Sequence, residues 1–326
     1  MPATQLRDDT PFYIVMNAAS GSGDARDART QIAEIFDAAG KRHEFLLVEQ
    51  PTQLPDVAQR AVESALRNEG AIIAAGGDGT INALTQATLP TGRPFGIVPQ
   101  GTFNYSSRAH AIPLDAAEAA RALLHARLKP VQVGVVNERV FLVNASLGLY
   151  PQLLQDRERF KQHYGRKRAV AIWSALATVA RGYRQLALTI EHDGERETVL
   201  TPTLFVGNNP LQLEQVGLPE AFDVQRRRLA AVILRPVGPA MLVWLAVRGA
   251  LGQLGDEDKV RNFPFREMTV HPRRSDGPAG MKVATDGEIV WMKSPLRFSV
   301  APQPLMLMTP KEAMRSSTTL TSQPCN

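Results

Sequence analysis

Cysteine is almost missing from this chain, whose single example, Cys325, lies near the C-terminal end. One cysteine excludes a disulfide within the chain and any metal cluster held by cysteines. It also fits a reducing compartment, so we expect a cytoplasmic protein. The six histidines have no partners at metal-ligand spacing, which argues against a histidine metal site.

Long apolar runs are also missing. The longest, residues 240–247, is far shorter than the roughly 20 residues that a membrane-spanning helix needs. Residues 1–11 lack an apolar core of signal-peptide length. At 326 residues and 44% hydrophobic content, the chain is long enough for two soluble domains, each with its own core.

The charge balance is basic, with a formal net charge of +5 and a pI of about 9.5. Such a charge favours anionic partners, which include nucleotides, nucleic acids and anionic bilayers. No nucleic-acid-binding motif accompanies the charge, so we expect no nucleic-acid partner.

Residues 71–82 combine an apolar segment, a glycine-rich loop and the start of a helical pattern. Residues 71–75 are all apolar, which predicts a strand buried on both faces. Gly76, Gly77 and Gly79 then let backbone amides approach a ligand, and a helical pattern begins at Thr80. Amides at a helix N-terminus suit a phosphate. The G-x-G-x-x-G fingerprint is absent, which disfavours a dinucleotide site for hydride transfer.

Asp78 distinguishes this loop from an ordinary strand-to-helix turn. A carboxylate among phosphate-binding amides repels the phosphate unless a divalent cation lies between them. Phosphate together with Mg²⁺ indicates nucleotide chemistry. An unliganded glycine turn is the alternative at this point.

The first half of the chain alternates strand and helix patterns. Apolar segments 12–16 and 95–98 are each followed by a polar, glycine-containing loop, 17–23 and 99–104. Further elements are predicted as a strand at 43–49 and helices at 25–39, 55–68 and 114–128. This alternation predicts a doubly wound α/β domain whose loops converge at the carboxyl ends of the strands.

The second half has a different pattern, with short strands broken by turn residues such as Asp193-Gly194 and Asp286-Gly287. It predicts a mainly antiparallel β-sandwich domain. We therefore expect a nucleotide-binding domain over residues 1–130, a β-sandwich domain over 131–309 and a disordered tail over 310–326. Two of the strands are expected at 131–136 and 140–145.

The motifs together resemble the diacylglycerol kinase catalytic family, and most closely its bacterial lipid kinases. Gly-Gly-Asp-Gly-Thr at 76–80 also resembles the loop of sphingosine kinases and NAD kinases. The motifs in family order are 17–23, 76–82, 101–104, 144–148 and 286–288. The resemblance implies an NAD kinase-like or diacylglycerol kinase-like α/β domain, a β-sandwich, an active site between them, and a last segment, 301–308, that returns to the first domain.

The resemblance also implies the site residues and cofactors, which are ATP and Mg²⁺. Glu288 matches the family's proton acceptor, Asp286 its catalytic neighbour, and Asp78 lies near the metal. The residues expected to hold the nucleotide are Asn17, Ser20, Gly21, Thr52, Gly76, Gly77, Asp78, Gly79, Thr80, Asn82, Gly101, Thr102 and Asn104. Thr52 needs a one-residue shift in the local comparison.

The chemistry of Asp286-Gly287-Glu288 agrees with that implication. A lipid hydroxyl has a pKa far above neutrality, so a carboxylate must accept its proton as the bond to phosphorus forms. A hairpin turn is the alternative, because Asp-Gly is a common two-residue hairpin signal.

Residues 157–184 are rich in arginine and lysine with apolar residues at helical spacing. This segment is either a basic amphipathic helix on an anionic membrane or a packed helix with a solvated basic face. We expect an ATP-dependent kinase that phosphorylates diacylglycerol or a related lipid and contacts the inner face of the cell membrane peripherally. The alternatives are an NAD kinase-like phosphotransferase and a non-catalytic lipid-binding relative. A homodimer is left open.

Overall fold

The computed structural model describes residues 6–17, 24–101, 104–149, 151, 185–215, 217, 227–250, 253, 258–273 and 280–311. Four sequence predictions lie outside this described part. They concern loop residues 18–23, Thr102, the basic segment 157–184 and the tail after residue 311.

A six-stranded sheet forms the first unit. Its strands are β1 (Phe12–Asn17), β2 (His43–Val48), β3 (Ala71–Gly76), β4 (Phe95–Pro99), β5 (Arg127–Val131) and the last strand of the described chain, β18 (Leu305–Thr309). Their spatial order is β2-β1-β3-β4-β18-β5. Strands β1 to β4 are parallel, β18 lies parallel to β4, and β5 pairs antiparallel with β18. The C-terminal segment thus lies inside the first sheet.

Helices cover both faces of this sheet. They are α1 (Asp24–Ala38), α2 (Leu54–Arg67), α3 (Asp78–Thr88), α4 (Tyr105–Ala109) and α5 (Ala116–Leu124). Helix α1 packs against α5, and α2 packs against α3. Strand β1 lies between β2 and β3, so the connections from β1 to β2 and from β2 to β3 run in opposite directions across the sheet. Because both crossovers are right-handed, α1 and α2 lie on opposite faces. Strand β3 is apolar and fully buried because both of its faces are covered.

The second unit consists of two further six-stranded sheets. The strands are β6 (Gly134–Val136), β7 (Arg139–Phe141), β8 (Asn144–Gly148), β9 (Leu186–His192), β10 (Glu195–Thr201), β11 (Thr203–Gly207), β12 (Leu229–Leu234), β13 (Val260–Phe265), β14 (Glu267–Pro272), β15 (Gly280–Thr285), β16 (Glu288–Lys293) and β17 (Leu296–Val300). One sheet has the order β10-β9-β14-β17-β6-β7 and the other β13-β12-β11-β8-β15-β16.

Every described strand pair in these two sheets is antiparallel. One buried apolar cluster joins side chains of both sheets, among them Phe141, Leu188, Leu204, Val283 and Phe298. Helices α6 (Pro210–Gln215) and α7 (Pro239–Ala250) connect strands of the second sheet. The predicted fold class, an α/β domain followed by a mainly antiparallel β-sandwich, is confirmed. Among the described helices, none has the length and apolar character to span a bilayer.

Three predicted elements differ from the structure. The strand expected over 131–136 is divided, because residue 131 ends β5 and only Gly134–Val136 form β6. The helix expected over 114–128 ends at Leu124, and residues 127–131 instead form β5. Pairing with β18, about 180 residues later in the chain, overrides the local helical pattern. The domain boundary expected at residue 130 therefore falls within a strand of the first sheet.

The strand expected over 140–145 is broken into β7 and β8. Leu142 and Val143, between the two strands, turn their backbone N–H groups toward the carboxylate of Asp286 rather than toward a neighbouring strand. Ladder pairing is therefore interrupted at the point where a side chain from another hairpin takes the donors.

Candidate functional site

The glycine loop after β3 packs backbone against backbone with the loop after β4. A Cβ on Gly101 would lie 3.0 Å from the Cα of Gly77, which leaves no room for a side chain. Gln100 also donates its backbone N–H to the carbonyl of Gly76 at 2.9 Å. Gly77 is the N-cap of α3, so the open amides of that helix face this junction. The two loops form one cradle suited to a phosphate.

Asn104 fixes the second loop. Its Nδ2 donates to the carbonyl of Gly101 at 2.8 Å, and its Oδ1 accepts from the N–H of Gly101 at 3.1 Å. Asn104 has a φ of 50°, in the left-handed region that asparagine tolerates better than most residues. These two bonds direct the N–H groups of Asn104 and Tyr105 toward the carboxylate of Asp78.

Asp78 is a mostly buried carboxylate whose oxygens are not equally satisfied. The N–H groups of Asn104 and Tyr105 bond to the carboxylate, but its Oδ1 is buried with no hydrogen-bond partner among the described atoms. Burial raises the pKa of Asp78 above its ordinary value, and the nearby charge of Asp286 raises it further. An unsatisfied buried carboxylate oxygen is a suitable ligand for a hard cation.

Asp286 comes from the β15–β16 hairpin, where it and Gly287 form the two-residue turn with φ values of 48° and 89°. Its two oxygens accept four N–H bonds from four donors. These are Leu142 N (2.7 Å), Val143 N (2.8 Å), Asn144 N (3.0 Å) and Asn82 Nδ2 (2.7 Å). A carboxylate offers about four lone-pair positions, so none remains for a metal.

Burial raises the pKa of Asp286, while its backbone and side-chain donors act in the opposite direction. The geometry makes Asp286 an anchor that ties the hairpin to α3 and to the β7–β8 connection. This position suits a residue that orients its neighbour Glu288, and it leaves no carboxylate oxygen for a metal.

Glu288 begins β16 and faces the first turn of α3. A Cβ on Gly79 would lie 2.7 Å from Oε1 of Glu288, so this carboxylate occupies the space that a side chain at position 79 would fill. Its Oε2 forms an ion pair with Nη2 of Arg139 at 2.6 Å. Arg139 also donates from Nε to the hydroxyl of Thr285 at 3.1 Å. One carboxylate oxygen is therefore fixed by an arginine and the other is turned toward the glycine loop.

Helix α3 bridges the two units through polar side chains one turn apart. Asn82 donates to the carbonyl of Val140 at 3.1 Å. Gln86 accepts from the N–H of Val140 at 2.9 Å and donates to the carbonyl of Glu138 at 3.0 Å. Sequence reasoning missed Gln86 and Arg139. The signal for Gln86 was its i+4 spacing from Asn82, which places both residues on one face of the helix.

The described residues expected to hold the nucleotide lie at the carboxyl ends of the parallel strands. Asn17 ends β1, and Thr52 lies exposed in the 3₁₀ turn that follows β2. The remaining ones follow β3 or β4 and are Gly76, Gly77, Asp78, Gly79, Thr80, Asn82, Gly101 and Asn104. Ser20, Gly21 and Thr102 lie outside the described residues. This edge next to the strand-order reversal is where ligands bind in open α/β sheets.

Thr80 and Asn82 are buried side chains on the first turns of α3. Thr80 packs against Gly76, where an added Cβ would lie 2.7 Å from the threonine Oγ1. The amide nitrogen of Asn82 bonds to Val140 and Asp286. These two side chains therefore shape the cradle from behind, and the glycine amides form its surface.

Residues 11–136 match the family model of the diacylglycerol kinase catalytic domain. A diacylglycerol kinase of Bacillus subtilis is 31% identical over 186 residues, which are 56% of this chain and 59% of that protein. A protein of Serratia proteamaculans named "Probable lipid kinase YegS-like" is 32% identical over 147 residues, which are 44% of this chain and 46% of that protein. The matched segments thus span about half the length of these relatives.

Two crystal structures from Bacillus anthracis have the same fold. One has a TM-score of 0.71 at 22% identity, and the other, named a diacylglycerol kinase, has a TM-score of 0.67 at 19% identity. Each comparison covers 94% of this chain and 98% of the other. The family resemblance inferred from the motifs is confirmed, because residues 11–136 match the model of the diacylglycerol kinase catalytic domain.

Proposed function

We propose that this protein is an ATP-dependent lipid kinase that transfers the γ-phosphoryl group of ATP to a hydroxyl of diacylglycerol or a related lipid. The supporting observation is the position of Glu288, whose Oε1 lies against Gly79 in the first turn of α3. A carboxylate from the second unit thereby faces the phosphate cradle of the first. General-base transfer to a phosphoryl group needs this arrangement of groups.

The nucleotide would lie along the carboxyl ends of β1 and β3, with its phosphates on the amides that precede α3. Mg²⁺ fits Asp78 because the Oδ1 of that residue is buried and unsatisfied. The described residues contain no cluster of three or more acidic, histidine or cysteine side chains that could hold a metal. Asp78 would therefore share the cation with phosphate oxygens and water, as is common for Mg²⁺, which neutralises charge on the transferred group when bound.

Glu288 would act as the base. Its carboxylate accepts the proton of the lipid hydroxyl while the hydroxyl oxygen forms a bond to the γ-phosphorus. The bond between that phosphorus and the bridging oxygen breaks, and ADP leaves with the electron pair. Arg139, which is bonded to Oε2 of Glu288, leaves Oε1 as the proton acceptor.

The remaining assignments belong to the same proposal. The first sheet with its helices would hold the nucleotide and the β-sandwich the lipid. We also propose a cytoplasmic protein that binds an anionic membrane surface peripherally. The net charge of +5 is consistent with that partner.

Incubation with γ-labelled ATP, MgCl₂ and mixed micelles of diacylglycerol tests the proposal. We expect labelled phosphatidate, no label without Mg²⁺, and loss of Mg²⁺-dependent transfer in Asp78→Asn. Parallel reactions with other lipid alcohols or with NAD identify the phosphoryl acceptor. Reactions with GTP in place of ATP identify the nucleotide donor. Label that appears only in NADP would contradict the lipid assignment, and label in no acceptor would contradict the kinase assignment.

A further inference from the structure

A cavity of about 530 Å³ lies between the two units, outside the glycine loops. Its walls come from β4, β5, β18 and α4 of the first unit and from the start of α6 in the second. No residue of the 76–82 loop lines it. We call it the seam cavity. Its volume falls in the range of roughly 300–1,000 Å³ that is typical of ligand pockets.

The floor of the seam cavity is apolar. It includes Ile97, Val131, Leu142, Leu305 and Leu307, all of them buried. Burial of apolar ligand surface against such a wall is favourable. Most of the remaining lining residues are polar, so the cavity suits a ligand that has both an apolar and a polar part.

The rim carries two exposed cations, Arg108 and Lys129, and one exposed acid, Glu214. Lys129 has no ion-pair partner within the described ranges. The rim is therefore net positive, and its geometry favours an anionic group held at the mouth while an apolar group enters.

Two polar atoms of the cavity lining are buried without a hydrogen-bond partner in the described structure. They are Nδ1 of His110 and Oε1 of Gln132. The Nε2 of Gln132 is already used, because it donates to Asn208 Oδ1 and to the carbonyl of Arg228. Its Oε1 therefore has no donor among the described residues, and a ligand hydroxyl would supply one. Burial, with a contribution from Lys129, lowers the pKa of His110 to about 4, so its ring is neutral near pH 7.

We propose that the seam cavity is a second ligand site that binds an anionic amphiphile of the lysophosphatidate type. The acyl chain would lie on the apolar floor, the glycerol hydroxyl would donate to Gln132, and the phosphate would meet Lys129 and Arg108. A neutral glyceride offers no anionic group to Lys129, and a nucleotide has no acyl chain to lie against the aliphatic side chains of the floor.

The lining of the seam cavity is adjacent to the backbone segments that donate hydrogen bonds to Asp78 and Asp286. Ser106 follows Tyr105, whose N–H bonds to Asp78, and the N–H of Leu142 bonds to Asp286. A ligand in the cavity would therefore contact the two backbone segments whose N–H groups bond to these acidic residues. A lipid phosphate can come from a phosphorylation reaction or from a bilayer, and the two sources share this chemistry.

Calorimetric titration of the full chain with monomeric 1-octanoyl lysophosphatidate tests the proposal. We expect saturable one-site binding that Lys129→Gln weakens about tenfold, because a charge-assisted contact is lost. Lys259→Gln, which removes an exposed lysine elsewhere on the second unit, is the matched control and should bind as the wild type does.

A second pair of variants tests the apolar floor. Leu211 lines the cavity from the partly exposed helix α6, so Leu211→Trp should fill the space and reduce binding more than tenfold. Leu200→Trp, at a position 52% exposed, is its control. Thermal unfolding of all four variants shows that each remains folded.

The ligand series separates the sources and the alternatives. Displacement of bound lysophosphatidate by phosphatidylglycerol vesicles would assign the bilayer as a source, and its absence would assign a free lipid phosphate. Equal affinity for monooctanoylglycerol, full competition by inorganic phosphate, or unchanged binding in Lys129→Gln and Leu211→Trp would each overturn the proposal. Binding is measured without phosphate transfer, so this result and that of the kinase assay are independent.

Discussion

The chain contains the tripeptide Asp-Gly-Glu twice, and the two copies have almost the same backbone. Asp193-Gly194 joins β9 to β10 with φ values of 49° and 82°, and Asp286-Gly287 joins β15 to β16 with values of 48° and 89°. In each hairpin the glutamate pairs with the residue before the aspartate, His192 with Glu195 and Thr285 with Glu288. The sequence and the turn geometry are therefore shared.

The surroundings differ completely. The side chain of Asp193 is 64% exposed, whereas the carboxylate of Asp286 is buried and accepts four N–H bonds. Glu195 is exposed on a strand of the β-sandwich, whereas Glu288 lies against Gly79. The position of a turn motif depends on what packs against it, and here that is the N-terminal half of α3 together with the backbone of residues 142–144.

The largest expected effect is on phosphoryl transfer by Glu288→Gln. The amide has the same shape but cannot accept the proton of the lipid hydroxyl, so kcat should fall by about 10²–10⁴-fold. Glu195→Gln, the same substitution in the other hairpin, should leave kcat unchanged. Initial rates with γ-labelled ATP and diacylglycerol give the comparison. Equal activity of the two variants would remove Glu288 from the mechanism.

The next effect is on the free energy of unfolding in Asp286→Asn. The amide places an NH₂ group against two of the four N–H donors, which should reduce stability by about 2–4 kcal/mol even though a buried charge is removed. Asp193→Asn keeps a residue that tolerates positive φ and should change stability by less than about 0.5 kcal/mol. Urea unfolding of both variants measures the difference. Similar stability for the two would mean that the four bonds do not hold the hairpin.

Much of the nucleotide side was predictable because it depends on local sequence. An apolar strand followed by glycines and a helix pattern places residues 76–82 at the edge of a parallel sheet. Alternation of strand and helix patterns likewise predicts the doubly wound sheet. Neither inference needs contacts between distant parts of the chain.

The residues that the second unit contributes to the candidate site could not be predicted from local sequence. Asn82 and Asp286 are 204 residues apart in the chain, and local sequence does not distinguish Asp286-Gly287-Glu288 from Asp193-Gly194-Glu195. Only the family resemblance separated the two copies. Residues 127 and 128 of β5 were interpreted as the end of a helix for the same reason, because the partner of β5 is the C-terminal strand.

A smaller effect is expected from Gly79→Ala. Alanine favours a helix over glycine by about 1 kcal/mol, but its Cβ would lie 2.7 Å from Oε1 of Glu288 and must displace that carboxylate. We expect unchanged or higher stability and a kcat reduced about tenfold, since a misplaced base transfers the proton less well. Gly238→Ala, where nothing lies within 4 Å of the added atom, is the control. Full activity in Gly79→Ala would show that Glu288 need not face the loop.

The smallest effect concerns the pH dependence of stability at Asp78. Burial, together with the charge of Asp286, raises the pKa of Asp78, so the folded state holds this proton more tightly than the unfolded state does. Wild-type stability should therefore fall as the pH rises through the raised pKa, and Asp78→Asn should not show that loss. At pH 7.5 we expect the free energy of unfolding of Asp78→Asn to exceed that of the wild type, by less than the amount that Asp286→Asn loses. Below about pH 3.9 the variant and the wild type should be equally stable. Urea unfolding across this pH range measures the difference. A variant less stable than the wild type at pH 7.5 would mean that the N–H groups of Asn104 and Tyr105 outweigh burial at Asp78.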